Sequence, residues 1–473
     1  MKKIYITTPI YYVNDIPHVG HAYTTVAADV LARFHRILGD NTFFVTGTDE
    51  HGAKVAESAK KRGLKPKAFC DEVAPNFVEA WKKLNISYDY FIRTTDPEHE
   101  KIVTDFLITL YEKGDIYKGK YEGLYCVGCE KFLTEVDLVD GLCPFHRKEP
   151  TKQSEENYFF RLSNYIETLI KAISDPKDPN HYKIRPDSRF NEVLSKLRLG
   201  VGDISISRAE VTWGIPIPWD ESQTIYVWFD ALLNYYSAPI INHRPDLWPA
   251  DLQLMAKDIL WFHAVIWPAM LIAAGIRPPK EVFAHGFFTI EGEKMSKTIG
   301  NVILPEQLVE KFGTDGTRYL LLSEFPFGSD GDISIDRFIK RYNSDLANGL
   351  GNLIQRVAAL AEKANLTVPA PAENPILDLP YRVALDELSF SEALAYIWKK
   401  ISDADKKIEE SKPWELIKKD PEKADAVLDN LIRQIREIVE LLLPFMPETA
   451  EKLQEKFRGP KIKAGVPLFP RIS

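Results

Sequence analysis

The order of strand-like and helix-like segments at the start of the chain constrains its fold more than any other feature. Residues 3–10 and 41–46 are β-prone runs, and residues 22–38 between them place apolar side chains at helical spacing, with Gly39 at the end. A strand, a helix and a second strand joined by short links favour a parallel sheet with a right-handed crossover. We therefore expect a Rossmann-type α/β fold, in which ligands bind beyond the carboxyl ends of the strands.

The pattern then changes twice along the chain. From about residue 120 to 219, short β-prone runs, turn residues and three of the four cysteines interrupt the α/β pattern, which resumes with a predicted strand at 225–229. After about residue 342 the apolar spacing is almost entirely helical. We predict five segments: the two halves of the sheet domain at 1–116 and 225–290, an insertion at 117–224, a lysine-containing loop and contact region at 291–345, and a helical bundle at 346–473.

Charge and hydropathy exclude some classes of protein. The net charge is −8, so any contact with nucleic acid must use local patches. The apolar start of the chain is interrupted by Pro9, and no cleavage site for a signal peptide follows. Residues 260–276 resemble a membrane span, but they contain His263 and Pro268, which favours a buried helix. We expect a cytoplasmic protein with no membrane partner.

The first motif, at residues 18–21, lies between the first predicted strand and the helix. A helix N-terminus offers free backbone N–H groups to a phosphate, and Gly20 allows a nucleotide to approach the backbone closely. His18 and His21 can donate hydrogen bonds to phosphate oxygens. Two isolated histidines would be interpreted as polar loop residues, so the motif needs a second feature to support it.

That second feature is the segment 294–298, with the sequence KMSKT. Its two lysines can neutralise the charge that builds up on phosphoryl oxygens in a transition state, whereas alone such a loop would be a solvated surface loop. Together and in this order, the two motifs resemble the HIGH and KMSKS signatures of class I aminoacyl-tRNA synthetases. The agreement of motif, order and position carries more weight than either motif alone.

The rest of the chain resembles the methionyl-tRNA synthetase family. The similar blocks, in the family's order, are residues 10–14 (IYYVN), 47–52 (GTDEHG), 226–231 (YVWFDA), 257–259 (KDI), 262–263 (FH), 267–268 (WP) and 284–286 (AHG). The resemblance implies an enzyme that activates L-methionine with ATP to methionyl-adenylate and pyrophosphate, with Mg²⁺ accompanying the ATP. It then transfers methionine to the 3′ end of methionine tRNA.

The resemblance also implies the roles of individual residues. The catalytic residues are His18, His21, Lys294 and Lys297. The residues that bind ATP are His18, Gly20, His21, Lys257, Asp258, His285, Gly286, Lys294, Met295, Ser296, Lys297 and Thr298. The residues that bind methionine are Ile10, Tyr12, Asp49, Trp228, Ala231, Leu232, Tyr235, Ile259 and His263.

The chemistry of the methionine set agrees with these roles. Asp49 can pair with the substrate ammonium group, and the aromatic side chains can contact a thioether sulfur. Tyr12 and His263 can form hydrogen bonds near the sulfur. Any single aromatic residue here would be interpreted as part of the core, so only the complete set is informative. One position departs from the family: Ala256 stands where Gly usually precedes the KDI block, and we expect a modest weakening of ATP binding.

A metal site is predicted inside the insertion. Cys126, Cys129, Cys143 and His146 are spaced as a Cys-x2-Cys-x13-Cys-x2-His knuckle, which favours a tetrahedral, structural Zn²⁺. The alternative is three unrelated buried cysteines. Cys70 lies apart on a predicted helix and is interpreted as a packed thiol.

The helical end is expected to contact tRNA. By resemblance, Asn352, Arg356 and Trp414 read the anticodon, and an aromatic side chain such as Trp414 can stack on an unpaired base. Many members of the family carry a further tRNA-binding and dimerising domain, which this sequence lacks. We therefore expect a monomer, unless a separate protein supplies that domain.

Two other functions are compatible with parts of this pattern. A cysteine-specific synthetase of the same class uses a catalytic zinc with dispersed ligands, whereas the ligands here are clustered. A noncatalytic RNA-binding relative would not require His18, His21, Lys294 and Lys297 together.

Overall fold

The computed structural model describes residues 1–126, 131–133, 137–144, 147–290, 292–294, 301–371 and 377–473. Its strands are β1 (Lys3–Tyr12), β2 (Asn41–Asp49), β3 (Tyr90–Arg93), β4 (Ile116–Cys126), β5 (Lys131–Leu133), β6 (Thr151–Phe160), β7 (Lys183–Arg185), β8 (Ile204–Ser205), β9 (Ser207–Arg208), β10 (Pro216–Ile217), β11 (Asp220–Ile225), β12 (Leu252–Ala256), β13 (Glu281–His285), β14 (Phe288–Ile290), β15 (Glu293–Lys294) and β16 (Gly331–Ile333).

Seventeen α-helices are found among the described residues. They are α1 (Val19–Ile37), α2 (Ala53–Lys61), α3 (Pro66–Lys83), α4 (Pro97–Glu112), α5 (Ile166–Ser174), α6 (Asp187–Arg198), α7 (Val227–Ala231), α8 (Asn234–Ile241), α9 (Trp267–Ala274), α10 (Pro305–Ser323), α11 (Ile335–Arg341), α12 (Asn352–Lys363), α13 (Leu379–Asp386), α14 (Phe390–Ser411), α15 (Pro413–Lys419), α16 (Pro421–Leu442) and α17 (Pro447–Lys456). No helix in the described ranges is long and apolar enough to span a bilayer.

The central sheet has six strands in the order β3-β2-β1-β12-β13-β7, and every neighbouring pair is parallel. The expected α/β fold is therefore confirmed. Tyr12 at the end of β1 pairs with Asp49 at the end of β2, and Ala256 at the end of β12 pairs with His285 at the end of β13. Four strand ends thus meet at one edge of the sheet, where parallel α/β sheets bind their ligands.

The segment between the two halves of this sheet is mainly antiparallel. A four-stranded sheet in the order β5-β4-β6-β8 includes β4 and β6, which pair from Ile116 to Tyr125. Strand β7, from the same part of the chain, instead pairs with β13 in the central sheet. The segment we predicted as an insertion therefore contributes one edge strand to the main sheet.

One predicted strand is wrong. We expected a strand at 225–229, but β11 ends at Ile225 and helix α7 begins at Val227. A short apolar run cannot distinguish a buried strand from a buried helix by periodicity. By contrast, residues 260–276 are largely helical, as predicted. The last helix in this range ends at Gly275, whose positive φ favours glycine at a helix end.

The helical bundle packs directly on the sheet domain. The largest apolar cluster includes buried residues of α1, α10, α12, α14 and α16. At its centre, Arg318 of α10 is fully buried, pairs with Asp29 of α1 at 2.7 Å, and donates to the carbonyl oxygens of Pro444 and Phe445. A buried charge pair persists only when its remaining hydrogen-bonding groups are satisfied, as they are here.

Candidate active site

A cavity of about 580 Å³ opens at the sheet edge where β1, β2, β12 and β13 end. Its walls contain all nine residues predicted to bind methionine: Ile10, Tyr12, Asp49, Trp228, Ala231, Leu232, Tyr235, Ile259 and His263. They also contain six of the residues predicted to bind ATP: His18, Gly20, His21, Asp258, His285 and Gly286. Residues from distant parts of the sequence therefore meet around one space large enough for a small ligand.

The two histidines of the first motif are built into the start of α1. The helix begins at Val19, three residues earlier than predicted, so His18 is its N-cap and His21 lies in its first turn. Nδ1 of His18 accepts a hydrogen bond from the Gly20 backbone N–H, and Nδ1 of His21 accepts one from the His18 backbone N–H. This reciprocal arrangement is a capping box made with imidazoles instead of Ser and Glu.

The cap fixes the tautomer of both rings. Because each Nδ1 accepts a hydrogen bond, the proton of each neutral ring must lie on Nε2. Burial lowers the pKa of His18 to about 4 and, together with repulsion from His18, lowers the pKa of His21 well below its ordinary value. The rings are stacked 3.7 Å apart. The site therefore presents two neutral N–H donors rather than two cations.

A third buried histidine, His285, lines the part of the cavity next to α1, which contains the residues predicted to bind ATP and which we call the predicted nucleotide side. Nε2 of His285 is 2.6 Å from the Thr24 hydroxyl, and its Nδ1 is 2.7 Å from the Gly286 carbonyl oxygen. Burial lowers the pKa of His285 to about 4, so the ring is neutral. A Cβ on Gly286 would lie 2.2 Å from the Ser329 carbonyl group, so only glycine fits at this position.

The opposite side of the cavity is aromatic. The rings of Trp228 and Phe262 stack 3.9 Å apart, and the Tyr235 hydroxyl lies 2.7 Å from Nε2 of His263. Nδ1 of His263 lies 2.9 Å from the Ile259 carbonyl oxygen. Both ring nitrogens of His263 thus form hydrogen bonds within the protein. Neither nitrogen is free for the hydrogen bond near the sulfur that we expected from this residue.

Asp49 is the acidic group of this aromatic side. It is the last residue of β2 and is 4% exposed, and its carbonyl oxygen accepts a hydrogen bond from the Val13 backbone N–H. A carboxylate that lines the cavity at this depth can pair with the ammonium group of an amino acid bound there.

Sequence reasoning missed two aspartates that support the predicted nucleotide side. Asp330 forms an ion pair with Lys257, with one oxygen 2.8 Å from Nζ, and accepts a hydrogen bond from the Phe287 backbone N–H. Asp332 accepts hydrogen bonds from the Gly292 backbone N–H and the Thr289 hydroxyl. These contacts join residues far apart in sequence, so no local pattern could indicate them.

The predicted lysine loop lies largely outside the described residues. Met295, Ser296, Lys297 and Thr298 belong to the segment 295–300, and of Lys294 only the backbone in β15 is described. The flanking chain is described on both sides. Gly292 is held by Asp332, and the Ile303 carbonyl oxygen accepts a hydrogen bond from the Val19 backbone N–H at the start of α1. Both ends of the loop are therefore anchored beside the predicted nucleotide side of the cavity.

The predicted metal ligands are described only in part, because Cys129 and His146 lie outside the described ranges. Cys126 and Cys143 are both buried in one small apolar cluster with Leu133. No group of three or more metal-binding side chains is found among the described residues, which include only these two predicted ligands. Cys70 is buried on α3 and its pKa is raised to about 12, mainly by burial, as expected of a packed thiol.

The residues predicted to read the anticodon lie on the helical bundle. Asn352 is exposed at the start of α12, and Arg356 lies one turn later on the same helix. One guanidinium nitrogen of Arg356 is 2.6 Å from the Glu409 carboxylate of α14. Trp414 lies on α15 and is partly buried against the apolar cluster, so part of its ring remains accessible.

Ala256 lines the cavity at the end of β12 and has ordinary extended backbone angles, φ −79° and ψ 153°. Its methyl group can therefore affect ATP only by occupying space. We expect Ala256→Gly to lower the KM for ATP by about three- to fivefold, the scale of one buried methylene group, and to leave the KM for methionine unchanged. Initial rates at varied ATP concentrations test this expectation, and an unchanged KM for ATP would contradict it.

Comparison with known proteins places this geometry in a family. The family model described as tRNA synthetases class I (M) matches residues 4–152 and 136–358. The methionine–tRNA ligase of Caldanaerobacter subterraneus subsp. tengcongensis is 45% identical, over 100% of this chain and 79% of that protein. The methionine–tRNA ligase of Thermotoga maritima is 43% identical, over 95% of this chain and 74% of that protein.

A solved structure is similar over the whole chain. Mycobacterium tuberculosis methionyl-tRNA synthetase in complex with methionyl-adenylate superposes with a TM-score of 0.91 at 38% sequence identity, and the match covers 100% of both chains. The similarity of fold and sequence therefore extends from the sheet domain to the helical bundle.

Proposed function

This chain belongs to the methionyl-tRNA synthetase family of class I tRNA synthetases, and we propose that its cavity is where methionine is activated. The enzyme is a methionine–tRNA ligase, which makes methionyl-adenylate from methionine and ATP and then transfers methionine to tRNA. The assignment of the site rests on one observation: all nine residues predicted to bind methionine and six of those predicted to bind ATP line the same cavity. Membership of this family excludes the cysteine-specific synthetase that we considered. The methionine–tRNA ligase function excludes the noncatalytic RNA-binding relative.

Activation needs no nucleophile from the protein. The methionine carboxylate attacks the α-phosphate of ATP, an acyl phosphate bond forms, and the bond to pyrophosphate breaks. The protein contributes positioning and stabilisation of charge. In our proposal Asp49 pairs with the methionine ammonium group, and the stacked Trp228 and Phe262 face the side chain. Mg²⁺ accompanying ATP would offset part of the charge of the triphosphate.

Phosphate charge is stabilised from two sides in this proposal. The Nε2–H groups of His18 and His21 donate hydrogen bonds to phosphate oxygens during transfer, and their cap keeps both donors oriented beforehand. Lys294 and Lys297 act on the pyrophosphate side, as their sequence motif indicates. Donors that need no reorganisation during the reaction favour the transition state over the bound substrate.

Transfer to tRNA completes the reaction. The 2′-hydroxyl of the terminal ribose attacks the methionyl carbonyl, and AMP leaves. We propose that Asn352, Arg356 and Trp414 contact the anticodon, which requires Arg356 to exchange its Glu409 contact for RNA. Since tRNA is charged where proteins are made, we propose a cytoplasmic location.

The assay for this proposal is aminoacylation with radiolabelled methionine and transcripts of methionine tRNA. Charging of the transcript, and its loss when the anticodon is changed, is the expected result. Charging that does not depend on the anticodon would contradict the role proposed for the helical bundle. No charging by enzyme that forms the adenylate would show that tRNA recognition, not activation, is assigned wrongly.

We further propose one structural Zn²⁺ bound by Cys126, Cys129, Cys143 and His146. The support is the spacing of the four residues and the burial of Cys126 and Cys143 in a single cluster. When bound, the ion would brace the antiparallel segment around β4, β5 and β6.

Metal analysis tests the zinc site. Protein purified without chelator is expected to contain about one equivalent of zinc, because four such ligands form a closed structural site. Cys143→Ser is expected to lose most of it, whereas Cys70→Ser keeps it, since Cys70 is packed on α3 away from the knuckle residues in sequence. Less than half an equivalent in the unmodified protein, or equal zinc in both variants, would contradict the site.

A further inference from the structure

Behind the aromatic side of the cavity lies a buried carboxylate bound by two histidines. Asp230 of α7 is 1% exposed, and its two oxygens lie 2.7 Å from Nδ1 of His51 and 2.9 Å from Nε2 of His99. His51 is 3% exposed and His99 is fully buried. We call these three residues the His51–Asp230–His99 network.

The network lies outside the cavity but is bonded to the elements that form it. None of its three members is among the described residues that line the cavity. His51 follows Asp49 by two residues at the end of β2, and Asp230 lies between Trp228 and Ala231 on α7. The His51–Asp230 contact therefore ties the end of β2, which carries Asp49, to helix α7, which carries Trp228.

His99 extends the same connection to a third element. It lies on α4, and its Nδ1 is 2.7 Å from the Ser237 hydroxyl of α8, the helix that carries Tyr235. With one nitrogen on Asp230 and the other on Ser237, a single side chain fixes α7 and α8 relative to each other. The strand end with Asp49 and both helices of the aromatic side thus share one chain of hydrogen bonds.

The network is charged as well as hydrogen-bonded. Burial opposes charge on Asp230, but its contacts with His51 and His99 keep its pKa below the ordinary value. Burial also opposes charge on His51, but Asp230, Glu100 at 3.5 Å and Asp49 raise its pKa to about 10. The Trp213 ring packs edge-on at 5.3 Å from the His51 ring and adds no charge. His51 is thus a buried cation at neutral pH.

Stability alone does not account for such a group. Buried ion pairs are often no more stabilising than apolar residues of similar size, although removal of one partner is costly. An ion network with several directional contacts instead fixes the relative positions of the elements that it joins. Here the fixed quantity is the placement of Asp49 relative to Trp228, Ala231 and Tyr235.

We propose that His51, Asp230 and His99 are positioning residues for methionine. They hold Asp49, whose carboxylate receives the methionine ammonium group, at a fixed distance from the aromatic side of the cavity, which receives the methionine side chain. The proposal rests on the proposed function, because it assigns those two roles to Asp49 and to the aromatic side. The cavity residues predicted to bind ATP lie mainly at the start of α1 and after β13, away from these three residues, so we expect the network to act on methionine and to leave ATP binding unaffected.

The test is methionine-dependent exchange of pyrophosphate into ATP, measured for Asp230→Asn and His51→Gln. Each variant is titrated with methionine at saturating ATP and with ATP at saturating methionine. We expect the KM for methionine to rise by about 100-fold, the effect of a shift on the order of 1 Å in a substrate-positioning group, and the KM for ATP to change less than about twofold. A merely structural role would lower the amount of active enzyme, counted by adenylate formed in one turnover, without separating the two KM values.

The matched control is His35→Gln. Nδ1 of His35 lies 2.9 Å from the Asp40 carboxylate, the same kind of pair, near the far end of α1 from the site. This variant is expected to leave both KM values unchanged. NMR of ¹⁵N-labelled histidine adds a readout independent of activity: at pH 8 His51 is expected to be protonated in the unmodified protein and neutral in Asp230→Asn.

Milder variants keep the proposal falsifiable if Asp230→Asn does not fold. Ser237→Ala and His99→Gln retain the His51–Asp230 pair. Ser237→Ala removes one neutral hydrogen bond and is expected to raise the KM for methionine by about fivefold, whereas His99→Gln also removes a hydrogen bond to the charged Asp230 and is expected to raise it by at least as much. The proposal is overturned if folded variants keep the KM for methionine within twofold, or if both KM values rise together. Unmodified enzyme without methionine-dependent exchange would instead overturn the proposed function, and this inference with it.

Discussion

His21→Asn is expected to slow formation of methionyl-adenylate by about 100- to 1,000-fold, the usual cost of removing one oriented hydrogen-bond donor from a transition state. The reason lies in the cap of α1. Nδ1 of His21 accepts from the His18 backbone, which leaves Nε2–H as the donor toward the cavity. An asparagine side chain is too short to carry a donor to the same point, although it can still accept the capping hydrogen bond.

Single-turnover measurement of adenylate separates this effect from binding. Methionine affinity, measured by equilibrium dialysis, is expected to stay within about threefold, because His21 acts on charge that develops only in the transition state. His35→Gln, at the other end of the same helix, is the control and is expected to react at the normal rate. Equal loss of methionine affinity and rate in His21→Asn would mean that the residue only stabilises the start of α1.

The pH dependence gives a second check on the same histidines. Burial lowers the pKa of His18 to about 4, and burial together with repulsion from His18 lowers the pKa of His21 well below its ordinary value, so both rings are neutral over the range in which an ordinary histidine titrates. A lowered pKa means that protonation sets in only on the acid side of the ordinary value. The single-turnover rate is therefore expected to show no histidine titration between pH 5.5 and 8, and a step near pH 6.5 would contradict neutral donors.

Asp49→Asn is expected to raise the KM for methionine by about two to four orders of magnitude, since loss of one partner of a buried charge pair costs on the order of 3–5 kcal/mol. Asp49 is 4% exposed at the end of β2, so little water can replace it as a partner for the ammonium group. The side chain keeps its volume in this substitution, and the cavity is expected to keep its shape.

The measurement is pyrophosphate exchange at varied methionine and at varied ATP. The KM for ATP is expected to change less than about twofold, since Asp49 lies on the methionine side of the cavity. Asp246→Asn removes a carboxylate that is 57% exposed and pairs with Lys3, and it is expected to change neither KM. Similar KM values for methionine in the Asp49 variant and the unmodified enzyme would show that another group receives the ammonium.

The parts of the fold with regular apolar spacing could be predicted from the sequence. Strand β1, helix α1 and strand β2 follow the predicted order, and the parallel sheet follows from it. The run at 225–229 was assigned wrongly to a strand, because Val227 and Phe229 suit a buried strand and a buried helix equally well. Only packing against the rest of the chain decides between the two.

Site residues divide in the same way. His18 and His21 belong to a short local motif, so they could be found from the sequence, together with the blocks around Asp49 and Trp228. The roles of Asp330 and Asp230 could not be predicted, because each acts through a contact with a residue far along the chain, Lys257 and His51 respectively. The proton positions on His18 and His21 likewise depend on backbone hydrogen bonds that no sequence pattern specifies.

The central claim is that this cavity activates methionine with ATP, and exchange of labelled pyrophosphate into ATP tests it most directly. The assay uses the unmodified enzyme without tRNA and each of the twenty amino acids in turn. We expect exchange with methionine and at most slight exchange with the other nineteen. Exchange driven mainly by a different amino acid would contradict the assignment of the cavity, and no exchange with any of them would contradict the activation chemistry itself.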